Sequence, residues 1–386
     1  MSDRLLIIDD EVQFASFVQK VAESAGYEVR TTADAAEFRR WTREWQPTHI
    51  ILDLVMPEVD GVEILRLLAG EGSTARIMIM SGFEGRVVEA ARRLGRERGL
   101  DIVATLSKPL RAKDLRDLLE NLHREAATVT GSALREALDN GEIEPFYQPK
   151  VDLHTLQPAG FEALVRWRHA HRGTIPPDAF VPVAEASGQI DRLSEVVASR
   201  AIAQLGVWRQ HGLDARVAIN LSALNLHEET LADHLEALCR RAGVAGSHVT
   251  FELTETAAMA QPTRALDILT RLRIKGFRLS IDDFGTGYSS LVQLHRLPFS
   301  ELKIDKSFVA DCDRSRDSRM IVKTMIELGH NLEMSVVAEG VETDDVMQTL
   351  AGLGCDVAQG YALARPMEAP AAEAWLGEWA RTHPAH

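Results

Sequence analysis

Short apolar runs that each stop at a polar residue recur along the chain, with stretches of helical periodicity between them. In the first 120 residues these runs are "RLLIIDDE", "THIILDLVMPEVDG", "ARIMIMSG" and "DIVATLSKP". A helical pattern, "VQFASFVQKVAESAG", follows the first and ends at Gly26, a suitable C-cap. Strands alternating with helices predict a doubly wound parallel α/β sheet, with its ligand site at the carboxyl ends of the strands. Asp9, Asp10, Asp53, Ser81 and Lys108 all fall at those ends. Three aspartates, a hydroxyl and a lysine at one edge would hold a divalent cation and a phosphoryl group.

A second series occupies the last 250 residues: "IEPFYQP", "GFEALVRW", "RVAINLS", "VTFELTE", "FRLSIDD", "ELKID", "MSVVAEGVE" and "DVAQGY". Helical segments such as "SEVVASRAIAQLGVWRQHG" and "RMIVKTMIELGHNL" separate most of them. About eight strands alternating with helices over roughly 250 residues predict a TIM-type (β/α)8 barrel, whose functional groups gather at one mouth. Glu162, Glu252, Asp282, Asp283 and Glu339 would then be crowded together. Each like-charge pair at about 4 Å costs on the order of 4 kcal/mol at an effective dielectric of 20. Several such pairs would consume much of a domain's stability of roughly 5–15 kcal/mol. The acids are therefore either protonated or neutralised by cations. Carboxylates with the Asn220 amide carbonyl form an all-oxygen donor set, which suits Mg²⁺ or Mn²⁺ and not zinc. Adjacent aspartates can serve two neighbouring ions, the arrangement that activates water in phosphoryl chemistry.

Composition narrows the partners. The 386 residues are 45% hydrophobic and 26% charged, an ordinary globular balance, and length alone allows two or three domains. A net charge of −14 argues against a non-specific nucleic-acid binder. Cys239, Cys312 and Cys355 are scattered, so neither a disulfide framework nor a zinc site is indicated. No signal-length or bilayer-length apolar run occurs, so a cytoplasmic protein without membrane insertion is expected. Arg-rich "EGRVVEAARRLGRERG" reads as a solvated helix face, and His169 and His171 of "HAH" as solvated loop histidines. The expected organisation is a doubly wound α/β unit at 1–123, a helical connector at 124–135 and the barrel at 136–386.

The ordered signals "DD", "D…P…DG", "SG" and "KP" resemble the receiver domain of bacterial two-component response regulators, of the flavodoxin-like doubly wound type. The resemblance implies that Asp53 accepts a phosphoryl group from a sensor histidine kinase. Asp9 and Asp10 would help bind one Mg²⁺, while Ser81 and Lys108 would contact the phosphoryl oxygens. Receivers often carry an aromatic switch residue three positions before the lysine, where this chain has Thr105.

Farther on, "EALVRW", "NLS", "ELTE", "DDFGTGYSSL", "LKID", "VAEGVE" and "QGYALARP" resemble the motif set of EAL-domain cyclic-di-GMP phosphodiesterases, over about residues 132–380. That resemblance implies a modified TIM barrel that hydrolyses cyclic di-GMP to linear pGpG with Mg²⁺ or Mn²⁺. By motif, Glu162, Asn220, Glu252 and Asp282 would hold one ion, and Asp282, Asp283 and Glu339 a second ion or its waters. Lys303 would orient and help deprotonate the attacking water. Gln148, Leu164, Arg166 and Gln359 would line the substrate site. Glu255 would anchor the glycine-rich loop, which couples the metal site to dimer contacts, so a homodimer or larger homo-oligomer is expected. "LVRW" and "ELTET" depart from the commoner "LLRW" and "ELTES" without removing a ligand. No GGDEF-like cyclase signature or helix-turn-helix accompanies these domains. Two readings follow: a phosphodiesterase under receiver control, or a non-catalytic cyclic-di-GMP receptor or partner-binding module that keeps the fold.

Overall fold

The computed structural model describes residues 3–57, 59–82, 85–125, 129–260, 262–285 and 291–383. They fall into two compact units, Met1–Thr128 and Val129–His386. In the first, β1 (Arg4–Ile8), β2 (Glu28–Thr32), β3 (His49–Asp53), β4 (Arg76–Ser81) and β5 (Asp101–Ser107) form a parallel sheet in the order β2-β1-β3-β4-β5. Successive residues alternate between its faces, as a strand's two-residue period requires. Leu6, Ile8, Ile50 and Leu52 join one apolar cluster, while Leu5, Ile7 and Ile51 join the other. Helices cover both. The chain order reverses between β1 and β3, and Asp9 and Asp53 stand at this switch point, where such folds bind ligands.

The arginine-rich helix Gly85–Glu97 satisfies its charges locally. Arg92 pairs with Glu89 at 2.6 Å, Arg93 with Glu97 at 3.1 Å, and Arg96 donates to the Ile102 carbonyl.

The second unit contains β6 (Ile143–Asp152), β7 (Pro158–His169), β8 (Gly173–Ile175), β9 (Val217–Asn220), β10 (Val249–Thr254), β11 (Arg278–Phe284), β12 (Glu301–Ile304), β13 (Ser335–Ala338) and β14 (Val357–Gln359). Among the described residues eight of these close a barrel, in the order β6-β14-β13-β12-β11-β10-β9-β7 and back to β6; β8 pairs outside on β7. β6 runs antiparallel to both neighbours, which distinguishes this barrel from an all-parallel one.

Alternation explains the barrel wall. Phe251, Leu253, Leu279, Ile281, Leu302 and Val336 face outward and join one cluster with helix residues such as Leu205, Leu272 and Ile326. Each such burial contributes roughly 1.5–3 kcal/mol. The intervening positions, Glu252, Ser280, Asp282 and Lys303, face inward. Most barrels fill this space with branched apolar residues; here it is polar.

The helix Gly131–Asn140 spans the expected boundary at residue 136. Thr130 caps it through Ala133 N–H, and Leu134, Ala137 and Leu138 bury an i, i+3, i+4 stripe in the barrel unit's core. The last helix, Ala369–Thr382, packs on the barrel: Trp375 lies edge-on to Phe161, and the Trp379 indole donates to the Leu156 carbonyl. Among the described residues no helix is long and apolar enough to cross a membrane.

Candidate active site

Inside the barrel the Lys303 ammonium is fully buried and meets four carboxylates. It lies 2.6 Å from Glu339 Oε1, 2.7 Å from Glu252 Oε2, 3.1 Å from Asp282 Oδ2 and 3.5 Å from Glu162 Oε2. Burial acts to lower its pKa, but Asp282, Glu162, Glu252 and Glu339 outweigh it and push the pKa well above the usual lysine value. Lys303 is therefore cationic at neutral pH and holds the acids together.

The amides complete the arrangement. Asn220 donates from Nδ2 to Glu162 Oε1 at 2.7 Å, which leaves its carbonyl oxygen as a further oxygen donor. Gln359 donates from Nε2 to Glu162 Oε2 at 2.6 Å and to Gln148 Oε1 at 3.1 Å, and Gln148 donates to the Ala364 carbonyl. Burial works against ionisation of Glu162, yet Lys303, Lys150 and the two amide donors hold its pKa well below the usual carboxylate range.

Its neighbours are pushed the other way. Burial and the Glu162 charge raise Glu252 to about 7; burial and Asp282 raise Asp283 to about 6. Burial also raises Glu339, against the pull of Lys303.

Adjacent residues on a strand point to opposite faces, so Asp282 and Asp283 should not share a site. The backbone resolves this. Pairing between β11 and β12 shifts register between Ile281 and Phe284, and Asp283 adopts a left-handed φ of 53°. This bulge turns both carboxylates to one mouth, at a conformational cost of about 1–3 kcal/mol. Glu339 is placed by a similar device. The next residue, Gly340, has φ of 67°, and a Cβ there would lie 2.4 Å from Lys306 Cβ. Only glycine fits both demands.

Glu162, Glu252 and Asp282 place ligand atoms within 4.8 Å of one another, as do Asp282, Asp283 and Glu339. Asp282 belongs to both groups. All donors are oxygens, so the residues fit hard divalent cations such as Mg²⁺ or Mn²⁺.

The sequence pattern put every site residue where a strand runs out, and the structure corrects this for several, Asp282 and Arg166 among them. Gln148, Glu162 and Glu252 lie within β6, β7 and β10. Strand tilt and stagger raise these interior positions to the level of Asn220, Lys303 and Gln359 nearer other strand ends. Gln148 is brought alongside Glu162 by antiparallel pairing. Leu164 and Arg166 are half-buried farther along the same face of β7, and burial lowers the Arg166 pKa. Glu255, at the start of the helix Glu255–Ala260, accepts the Gly285 N–H through Oε2 at 2.9 Å. The rest of the glycine-rich loop, residues 286–290, lies outside the described residues. His169, expected in a loop, instead closes β7 half-buried and pairs with Gly173 of β8, while His171 is exposed in the turn between them.

Sequence reasoning passed over Lys150, which is buried and donates to Glu252 Oε1 at 2.6 Å, and Glu301, whose Oε1 lies 3.8 Å from Lys150. Each stands two residues from a recognised inward position, Gln148 and Lys303, and the period of two is the signal that could have found them.

In the first unit Lys108 Nζ donates to Asp53 Oδ2 at 2.6 Å, Glu11 Oε1 at 2.9 Å and Asp9 Oδ2 at 3.0 Å. Burial opposes its charge, but these three bonds raise its pKa. Asp9, Asp10 and Asp53 form a third cluster of possible cation ligands. Burial raises the Asp9 pKa despite the bonds from Glu11 N–H and Lys108. Ser81, buried, ends β4, and its carbonyl accepts the Lys108 N–H. Thr105 is exposed on β5, and Glu11 was not anticipated.

The EAL domain family matches residues 132–366, and the response regulator receiver domain family matches residues 5–120. The chain belongs to the EAL-domain family. The cyclic di-GMP phosphodiesterase RocR of Pseudomonas aeruginosa is 35% identical over 327 residues, 82% of this chain and 83% of that protein. The same organism's bifunctional diguanylate cyclase/cyclic di-GMP phosphodiesterase MucR is 42% identical over 237 residues, 61% of this chain and 35% of that protein. This chain thus spans about a third of MucR and most of RocR. Among solved structures, the EAL domain is similar to the PaMucR phosphodiesterase in complex with c-di-GMP, at 41% identity and a TM-score of 0.60, over 62% of this chain and 98% of that one.

The raised acids of the EAL domain carry a signed expectation. A carboxyl group whose pKa is raised by folding contributes stability below its unfolded value of about 4.5, and loses it as pH rises through the folded value. With Glu252 at about 7 and Asp283 at about 6, the cation-free barrel should lose thermal stability between about pH 4.5 and pH 7.5. Added Mn²⁺ favours the ionised acids, so the melting temperature gained over EDTA should widen across the same range. Calorimetric melts check this; a gain that does not depend on pH would contradict it.

Proposed function

We propose that the EAL domain hydrolyses cyclic di-GMP to linear pGpG under control of the receiver. The observation that carries the reading is the complete set of acids, amide and lysine around one point, with none of the expected ligands missing or turned away. The likeness to RocR along both domains supports the substrate and the coupling to a receiver.

Charge supports two divalent cations. Glu162, Glu252, Asp282, Asp283, Glu339 and Glu301, when ionised, outnumber the two buried ammoniums beside them, Lys150 and Lys303, by four. The excess of four negative charges is what two such ions neutralise. When bound, the ions would activate a water for in-line displacement and neutralise charge at the phosphoryl centre. Glu162, Asn220, Glu252 and Asp282 would hold one, and Asp282, Asp283 and Glu339 the other. Lys303, released from part of its carboxylate shell, orients the attacking water through Nζ and stabilises its developing negative charge. Arg166 grips a substrate phosphate through its fork of donors, with Gln148, Leu164 and Gln359 lining the pocket.

Release of pGpG by wild type and Glu162→Ala in Mg²⁺ or Mn²⁺ tests the activity. Wild type should turn over and the variant should lose about 10²-fold or more, since it lacks a shared ligand of the ion cluster. Binding of cyclic di-GMP without cleavage by either protein would favour a receptor instead.

In the receiver, Asp53 would accept a phosphoryl group from a sensor histidine kinase, with Asp9 and Asp10 holding one Mg²⁺. Lys108, now on Asp53, would follow the charge to the phosphoryl oxygens, with Ser81 beside it. Acetyl phosphate should change wild-type pGpG release by about fivefold or more, the usual scale of coupling between sites, and leave Asp53→Asn unchanged. Equal rates in both proteins would leave the receiver without control over the barrel.

A further inference from the structure

Lys150 has no assigned part in the site, yet it is 5% exposed and shares the fully buried Glu252 with Lys303. The two ammoniums divide the carboxylate between them. Lys150 Nζ donates to Oε1 at 2.6 Å, and Lys303 Nζ to Oε2 at 2.7 Å. Resting on the cation-site reading above, we propose that Lys150 is a positioning residue that holds Glu252 by one oxygen, so that only Oε2 turns toward Glu162 and Asp282.

Three features support the assignment. First, the reversed direction of β6 lets one strand supply two successive inward groups, Gln148 beside Glu162 and Lys150 beside Gly160. The long lysine stem crosses the interior to Glu252 on β10. Second, Lys150 has its own support from the far side in Glu301, whose Oε1 has no hydrogen-bond partner among the described residues and lies 3.8 Å from Nζ. The order is therefore Glu301, Lys150, Glu252, Lys303: alternating charges running from the end of the barrel where β12 starts toward its mouth. Third, a buried ion pair seldom stabilises a fold more than apolar groups of the same volume, because both charges are desolvated. Stability alone does not explain an ammonium here. Fixing a ligand's orientation does, since groups that hold metal ligands typically change metal affinity by 10–100-fold.

The test separates position from charge. Lys150→Met/Glu301→Gln removes one positive and one negative charge together, so the net charge of the interior is unchanged while Glu252 loses its holder. Glu301→Gln alone keeps Lys150 on Glu252. Calorimetric titration of full-length protein with Mn²⁺ should give wild-type affinity for Glu301→Gln and about 10–100-fold weaker binding for the double variant. In EDTA Glu301→Gln should melt close to wild type, whereas the double variant, which leaves Glu252 Oε1 without its partner, should melt lower. Mn²⁺ affinity measured well below both melting temperatures is the readout that a merely structural role would leave unchanged. Wild-type Mn²⁺ affinity in the double variant overturns the proposal. Should that variant fail to fold, a Mn²⁺-bound wild-type crystal decides instead. Glu252 coordinating through Oε2 with Oε1 still on Lys150 supports the proposal, and coordination through both oxygens overturns it. Wild type that binds no Mn²⁺ overturns the cation-site reading itself, a distinct result.

Discussion

Replacing Lys303 with methionine is expected to lower pGpG release by about 10²–10⁴-fold, the range for losing a group that handles the proton of the nucleophile. The same change should destabilise the cation-free barrel by about 3–5 kcal/mol, as when one partner of a buried ion pair is removed. The two effects should part on adding Mn²⁺. Lys303 is the ammonium among the described residues that touches all four of Glu162, Glu252, Asp282 and Glu339, so its loss leaves them repelling one another. Divalent ions can take over that neutralisation and restore the melting temperature, but they cannot replace an ammonium that orients water. Activity restored together with stability would mean that Lys303 serves the fold and not the reaction. The stability loss should also be larger at pH 8 than at pH 6. At the lower pH Glu252, with its pKa near 7, is mostly protonated and repels its neighbours less.

Asp282→Asn should have the second large effect. The substitution preserves shape and removes one charge, and Asp282 is the residue shared by both acid clusters. Losing it weakens both cation positions at once, so pGpG release should fall on the order of 10³-fold. Calorimetry should show weaker Mn²⁺ binding at both sites. Asp283→Asn, which touches one cluster, should spare the other. Equal losses in the two variants would show that Asp282 does not bridge.

Much of this site was legible because its chemistry coincides with strand ends. Asp9 and Lys108 follow strands directly, while Asp53, Ser81, Asn220 and Gln359 close them. Apolar runs that stop at such residues mark both the strands and the site they supply. The barrel followed from eight such runs, and the structure closes them in chain order apart from the reversal of β6.

What stayed hidden had weaker local signals. Strand β2, "EVRTT", lies at a sheet edge and is half polar, so its pattern does not separate from a loop. The direction of β6 depends on its partners β7 and β14, and nothing in "IEPFYQPKVD" encodes it. Lys150 and Glu301 were passed over because buried charges on barrel strands contradict the expectation of an apolar interior, and only their partners make them intelligible. The adjacency of Asp282 and Asp283 was read as chemistry, whereas the bulge that lets both face one mouth is a backbone property. Glu11 reaches Lys108 from just beyond the "DD" pair, in a turn whose geometry the sequence leaves open.

The central claim is that these crowded acids hold divalent cations where the phosphodiester is cut. It is tested most directly by anomalous diffraction from a crystal of this protein soaked in Mn²⁺ and cyclic di-GMP. The account predicts two manganese peaks about 3.5–4 Å apart, with Asp282 between them and Lys303 close by. A map with no manganese peak among Glu162, Glu252, Asp282 and Glu339, while nucleotide occupies the mouth, would contradict it.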